Sequence, residues 1–200
     1  MVQVDLCTLS GPDRQPSRKV YLRELSGYDE LSKRSPIELI DALLVDRPGA
    51  AAKAGQAEKL SLAEIDQILA AIYRTLFGDE VECHVSCLSC STTSAMSFTI
   101  TDLWDAVTET AAADEHLLQG LNGPDEYGIY RLGSLKFRLP TGKDLIDVTD
   151  LGPEDPGVAL RARCVLEEDH RYKDEMLDRV MAFAGPMLDS DLESVCPDCG

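Results

Sequence analysis

Residues 81–100 read V-E-C-H-V-S-C-L-S-C-S-T-T-S-A-M-S-F-T-I. On either side of Cys87-Leu88-Ser89-Cys90 lie runs, 81–87 and 96–100, with an apolar residue at every second position. That period belongs to a half-buried strand. Two strands joined through a C-x-x-C predict a hairpin with a metal knuckle at its tip. A second knuckle closes the sequence, Cys196-Pro197-Asp198-Cys199-Gly200. Its Pro stiffens the turn, and its Gly accepts the positive φ that turns backbone N–H groups toward the sulfurs. Each pair aims two thiols at one point, and two pairs supply the four soft ligands of a tetrahedral structural Zn²⁺ site.

The spacing is unusual. Between Cys90 and Cys196 lie 105 residues, against about 15–20 in an ordinary zinc ribbon, so a whole subdomain has to lie between the knuckles. Three arrangements stay open at this point. One is a shared site of Cys87, Cys90, Cys196 and Cys199. A second is a pair of separate sites, or a site using the neighbouring Cys83 or His84. The third is a thiol redox pair. Redox chemistry favours a C-x-x-C at the start of a helix, whose dipole lowers the thiol pKa, whereas the residues after Cys90 have the period of a strand. Iron takes the same four ligands as zinc. Cys7 and Cys164 stand in apolar runs and read as small buried hydrophobes. His116 and His170 have no ligand spacing and read as exposed bystanders.

Outward from the cysteines, helix signals dominate. Ser35-Pro36-Ile37-Glu38 and Ser61-Leu62-Ala63-Glu64 are capping boxes, predicting helices over 36–45 and from 62 to the stop at Gly78. Thr101 or Asp102 is placed to cap a helix running to Ala113, and 158–167 and 172–184 read as two more. Short β-rich runs at 2–9 and 19–25, and a hairpin over 129–139 turning at Gly133-Ser134, complete the pattern. Residues 46–59, D-R-P-G-A-A-A-K-A-G-Q-A-E-K, lack a buried period and read as a mobile linker. The expected fold is α+β: an N-terminal β-element and helix (1–45), a linker (46–60), and a helical lobe with short hairpins (61–200) stapled by a zinc-ribbon-like pair of knuckles.

The chain has 200 residues and a net charge of -17. Residues 1–60 carry nine basic and nine acidic side chains, so the whole excess lies in 61–200. Such a charge opposes sequence-independent binding to nucleic acid or to an anionic membrane surface. No apolar run reaches the length of a membrane span, and the first residues lack the layout of a signal peptide. With seven cysteines, an odd number, a cytosolic protein with metal-bound thiols is expected rather than a disulfide framework. The phosphate-binding, dinucleotide, nucleophile-elbow and H-E-x-x-H motifs are all missing. The expectation is a protein that is not an enzyme.

Two further segments carry a family resemblance. Arg23-Glu24-Leu25-Ser26-Gly27-Tyr28-Asp29-Glu30 resembles the R-E-L-T-G-x-D-E opening of small baseplate and tail-assembly proteins of contractile-tailed phages. Arg138-Leu139-Pro140-Thr141-Gly142-Lys143-Asp144-Leu145 resembles the R-L-P-T-x-x-D-L segment of T4-like baseplate proteins, found also in phage-tail-like contractile injection systems. The family pattern continues with a cysteine-bearing helix, similar to 161–166, and a C-P-x-C-G knuckle. Its earlier C-x-x-C is followed by an F-x-I/L-x-D-L stretch, similar to Phe98, Ile100, Asp102 and Leu103. Ser26 and Tyr28 depart from the pattern. Members run on past the last knuckle, so the resemblance implies a chain truncated after Gly200.

What the resemblance implies is a structural component of a baseplate near the hub, with structural zinc. Its partners would be other baseplate, hub or tail-tube proteins, met at motif positions Arg23, Glu24, Leu25, Gly27, Asp29, Arg138, Leu139 and Pro140. It would be found in the bacterial cytoplasm during assembly and then in the tail baseplate or injection-system particle. A cytosolic assembly chaperone absent from the finished particle is the alternative.

Overall fold

The computed structural model describes residues 1–6, 18–32, 34–113, 119–169, 171–172, 174–188, 192 and 194–200. Cys7, His116 and His170 lie outside these. The architecture is α+β, with seven α-helices and three small antiparallel sheets among the described residues.

Strands β1 (Val2–Leu6) and β2 (Arg18–Leu22) pair with Val4 opposite Val20. Alternation buries Val4, Leu6, Val20 and Leu22 on one face. After the short helix α1 (Gly27–Leu31), helix α2 (Pro36–Leu43) starts at the predicted box, where Ser35 Oγ accepts from the Glu38 N–H. The chain then returns along β2, with Leu44 bridged to Leu22. Helix α3 (Leu62–Phe77) lays Ile65 and Ile68 on the same core.

Residues 46–60 are not a free linker. Ala52, Ala57 and Leu60 are buried in the core that β1, β2, α2 and α3 share. The Asp41 carboxylate accepts the Gly55 and Ala57 N–H groups at 3.0 and 2.9 Å. Small apolar side chains bury without any period, so absence of periodicity is not absence of packing. The predicted boundary at 60/61 therefore falls inside a core, and α3 belongs with the N-terminal elements.

A second unit begins at the hairpin of β5 (Ile129–Leu132) and β6 (Leu135–Arg138), which turns at Gly133 with φ +63° as expected. Helix α5 (Gly142–Leu151) follows, a helix the sequence reading did not place. Helix α6 (Pro156–Cys164) ends before the predicted 167, because the chain goes over into β7 (Val165–Glu167), which pairs with β6. Helix α7 (Asp174–Ala184) closes a second core of Tyr130, Phe137, Leu177, Val180 and Ala184. Cys164 is fully buried, as expected.

The two units repeat one plan. Each has a hairpin, then Arg-x-x-Ser/Thr-Gly-x-Asp opening a helix, then a helix with Pro at its first turn. Each next returns antiparallel onto the second strand (Leu44 to Leu22, Val165 to Phe137), adds a core helix, and reaches a C-x-x-C. Arg23, Ser26, Gly27 and Asp29 correspond to Arg138, Thr141, Gly142 and Asp144. The units meet along a short seam, where the Leu62 N–H donates to the Pro140 carbonyl (2.9 Å) and the Gly142 N–H to the Leu60 carbonyl (3.0 Å).

Between the units stand the knuckle hairpin, β3 (Glu80–Ser86) with β4 (Thr93–Thr99), and helix α4 (Ile100–Ala113). Cys83 faces Met96 across the ladder. Helix α4 starts earlier than predicted, because the Thr99 hydroxyl, and not Thr101 or Asp102, takes the first-turn N–H, that of Asp102 at 2.9 Å. No residue of this hairpin belongs to either core.

Candidate metal centre

Each knuckle is a tight turn built by backbone hydrogen bonds. In the first, the Ser91 N–H donates to the Cys87 carbonyl at 2.9 Å, and the Cys87 N–H to the Thr92 carbonyl at 2.9 Å. In the second, the Gly200 N–H donates to the Cys196 carbonyl at 3.1 Å. The residue after the last cysteine is left-handed in both, Ser91 at φ +61° and Gly200 at φ +82°. The Thr92 hydroxyl donates to Asp198 at 2.7 Å, tying one turn to the other.

The sulfurs of Cys87, Cys90, Cys196 and Cys199 all lie within 4.8 Å of one another. The short cross-contacts are Cys87 to Cys199 and Cys90 to Cys196, each 3.6 Å. A disulfide needs about 2.05 Å. Four thiolates about 2.3 Å from a central ion form a tetrahedron with edges of about 3.8 Å, which the two cross-contacts match. The first cysteine of each turn pairs with the last of the other, a pairing that survives exchange of the two turns. Four cysteine ligands fill a tetrahedron, so the donor set suits a closed structural site rather than one with a free position for substrate.

Electrostatics favour anionic sulfur in the first turn. Backbone N–H groups of Cys90 and Ser89 draw the Cys87 thiol below its ordinary value. The Thr92 hydroxyl and N–H, with the facing thiols, bring Cys90 down to about 6. Cys199 moves the other way, to about 11, because the neighbouring sulfurs of Cys87, Cys90 and Cys196 favour its protonated form. Four thiolates this close cannot all ionise on their own; a bound dication removes that conflict.

Cys83 and His84 stand outside the cluster, the first half-buried and the second exposed on opposite faces of β3. The C-x-x-C leads into β4 and not into a helix, so the setting a redox pair uses is missing here.

The motif positions meet elsewhere. The Arg23 guanidinium forks onto the Asp29 carboxylate at 2.8 and 2.7 Å, and Arg138 onto Asp144 at 2.6 and 2.9 Å. The Ser26 hydroxyl donates to Asp29 at 2.6 Å and the Thr141 hydroxyl to Asp144 at 2.7 Å. A second arginine reaches each acid, Arg34 at 3.2 Å and Arg163 at 3.4 Å. These guanidinium bonds hold both carboxyls well below the usual range. The arginines and aspartates of the two motifs are thus engaged within the chain. The capping role of Thr141 and Asp144 and the pairing of Arg34 and Arg163 with the two acids are not legible in the sequence reading. The doubled Arg-x-x-Ser/Thr-Gly-x-Asp pattern was the signal that could have found the first two.

Among the described residues no helix is long and apolar enough to cross a membrane. Comparison with protein families, with curated proteins and with solved structures finds no match for this chain.

Proposed function

We propose that this chain is a structural, non-enzymatic component of a contractile-tail baseplate, in a phage or a phage-tail-like injection system, and that Cys87, Cys90, Cys196 and Cys199 hold a structural Zn²⁺. The observation that carries the reading is the convergence of two C-x-x-C turns, 105 residues apart, on four mutually close sulfurs. It joins a closed thiolate site to two segments that resemble baseplate proteins. The metal clamps the knuckle of one unit to the knuckle of the other, leaving helices and sheet edges for neighbouring baseplate, hub or tail-tube proteins. About 10 kcal/mol of metal binding is available to hold that clamp.

Metal analysis of the purified chain, with mass spectrometry of purified tails or injection particles, tests both halves. One zinc per chain and a fixed copy number per particle are expected. Well under one metal per chain, with the knuckles still closed after chelation, removes the clamp. Presence in assembling lysates and absence from finished particles replaces the structural reading with the assembly chaperone.

A further inference from the structure

The two Arg-x-x-Ser/Thr-Gly-x-Asp segments are built alike and covered differently. At the second unit, residues 60–62 lie antiparallel to 140–142, with Ser61 bridged to Thr141. There the Pro140 carbonyl accepts from Leu62 and the Gly142 N–H donates to Leu60. The corresponding groups of the first unit are the Leu25 carbonyl and the Gly27 N–H. Among the described residues neither has a partner.

The glycines tell the same story. A Cβ on Gly142 would meet Ile37 and Ile65 Cδ1 at 3.1 Å and Glu58 Cα at 3.2 Å, so a covering chain explains glycine there. A Cβ on Gly27 meets nothing within 4 Å, and its φ is not positive. Neither usual reason for glycine operates at Gly27 among the described residues.

Beside the bare segment runs an apolar groove of about 190 Å³, lined among others by Val2, Leu22, Leu25, Leu43, Ile72 and Leu76. At the second unit, Leu62 of the covering segment lines an apolar groove together with Leu139, Pro140 and Met181. Next to Gly27, Tyr28 and Leu31 on α1 are exposed, Leu31 at 84%.

We infer that residues 24–27 and this groove dock an extended segment of a partner protein, with leucine-sized side chains on either side of a serine or threonine, leading into a helix. The template is the chain's own 60–63, which makes that contact at the other unit. Two backbone hydrogen bonds fix the register and the groove selects the apolar side chain, the recognition logic of strand addition. The inference rests on the repeat, and stands or falls independently of the metal and of the baseplate reading.

A fluorescent peptide of residues 57–69, A-E-K-L-S-L-A-E-I-D-Q-I-L, added to the full-length chain is the probe. Saturable one-to-one binding is expected, with amide shifts at Gly27 and Leu76. Gly27→Val should weaken it at least tenfold with melting temperature unchanged, and Leu25→Asp should weaken it at least tenfold at a temperature where that variant is still folded, since Leu25 also packs on the first core. A peptide carrying Leu60→Asp and Leu62→Asp should not bind, a control that leaves the chain untouched. No binding at millimolar peptide overturns the inference. So do shifts at Gly142 in place of Gly27, binding undiminished by both chain variants, a Gly27 amide already protected in the free monomer, or a dimer that buries Gly27.

Discussion

Arg23 with Asp29 and Arg138 with Asp144 are nearly superimposable as chemistry, yet α1 lies in the open while the start of α5 lies beneath residues 58–65. In both caps the aspartate binds the cap residue's own N–H and pairs with the motif arginine, so that much of the device forms without a neighbour. What differs is the surface laid over them. A repeated local device thus serves in one unit as part of the internal seam and in the other as exposed surface, and the knuckles show the reverse, two turns that make one site only together. The consequence is a molecule with two cores joined at the seam, at the cysteine cluster and at the Asp66 carboxylate of α3, which accepts the Leu188 N–H at 2.9 Å.

The largest test of that picture is removal of the metal. Among the described residues, none of 78–113 or 186–200 belongs to either core. Chelation, or Cys196→Ser, should therefore free both knuckles and raise hydrogen exchange over 80–99 and 194–200 by orders of magnitude, since about 10 kcal/mol of binding is withdrawn. Amides of β1, β2, β5 and β6 should stay protected. Trp104, the sole tryptophan, lies on α4 and reports the change by fluorescence. Cooperative loss of all structure would mean that the units do not hold on their own.

Next come the caps. Asp144→Ala takes the carboxylate from Arg138 at the seam, while Arg163 keeps Asp147, and should cost about 3 kcal/mol, read as a shift in the denaturant midpoint. Asp29→Ala, at the open cap, should cost less. Both carboxyls are depressed in the folded chain. Their stabilisation is thus fully present above the ordinary carboxylate pKa of about 4 and is lost as pH falls through that value toward their folded values. Wild-type stability should drop on acidification, and the Asp144 variant should drop less steeply. An equal loss from both substitutions would erase the distinction between covered and open cap.

Legibility in the sequence followed how local each cause is. The boxes at Ser35 and Ser61, the turn at Gly133 and the alternation around Cys87 are set within a few residues, and all appear as read. The cluster of four cysteines was legible because each half is local, but its choice over sites using Cys83 or His84 came from the long-range meeting of the turns. Helix α5 opens on a capping box of the same type, Thr141 with Asp144, but that box sits inside a segment whose residues also read as a family motif, which hides the helix start. Burial of 46–60 depends on Ala side chains meeting residues far along the chain, which no period records. The repeat went unread since its halves share only four motif residues and differ in spacing.

Smaller effects separate the two glycines. Gly142→Val forces Ile37, Ile65 and the backbone at Glu58 apart and should destabilise by about 2 kcal/mol. Gly27→Val should leave the melting temperature within a degree or so, its Cβ meeting nothing. Equal effects would show that glycine is needed at both caps for a reason internal to the motif.

The smallest effect lies where the two knuckles differ in one atom group. Ser91 holds the left-handed conformation that Gly200 holds without strain, and a side chain there costs about 1 kcal/mol. Part of that gain from Ser91→Gly is offset by the greater freedom of glycine in the opened turn. Metal retention against a chromophoric chelator should therefore tighten by no more than about fivefold. The change acts on the turn and not on the ligands, so the metal content per chain should stay the same. Weaker retention would mean that the Ser91 side chain stabilises the first turn by more than its backbone strain, and that the two knuckles, alike in backbone, are held by different means.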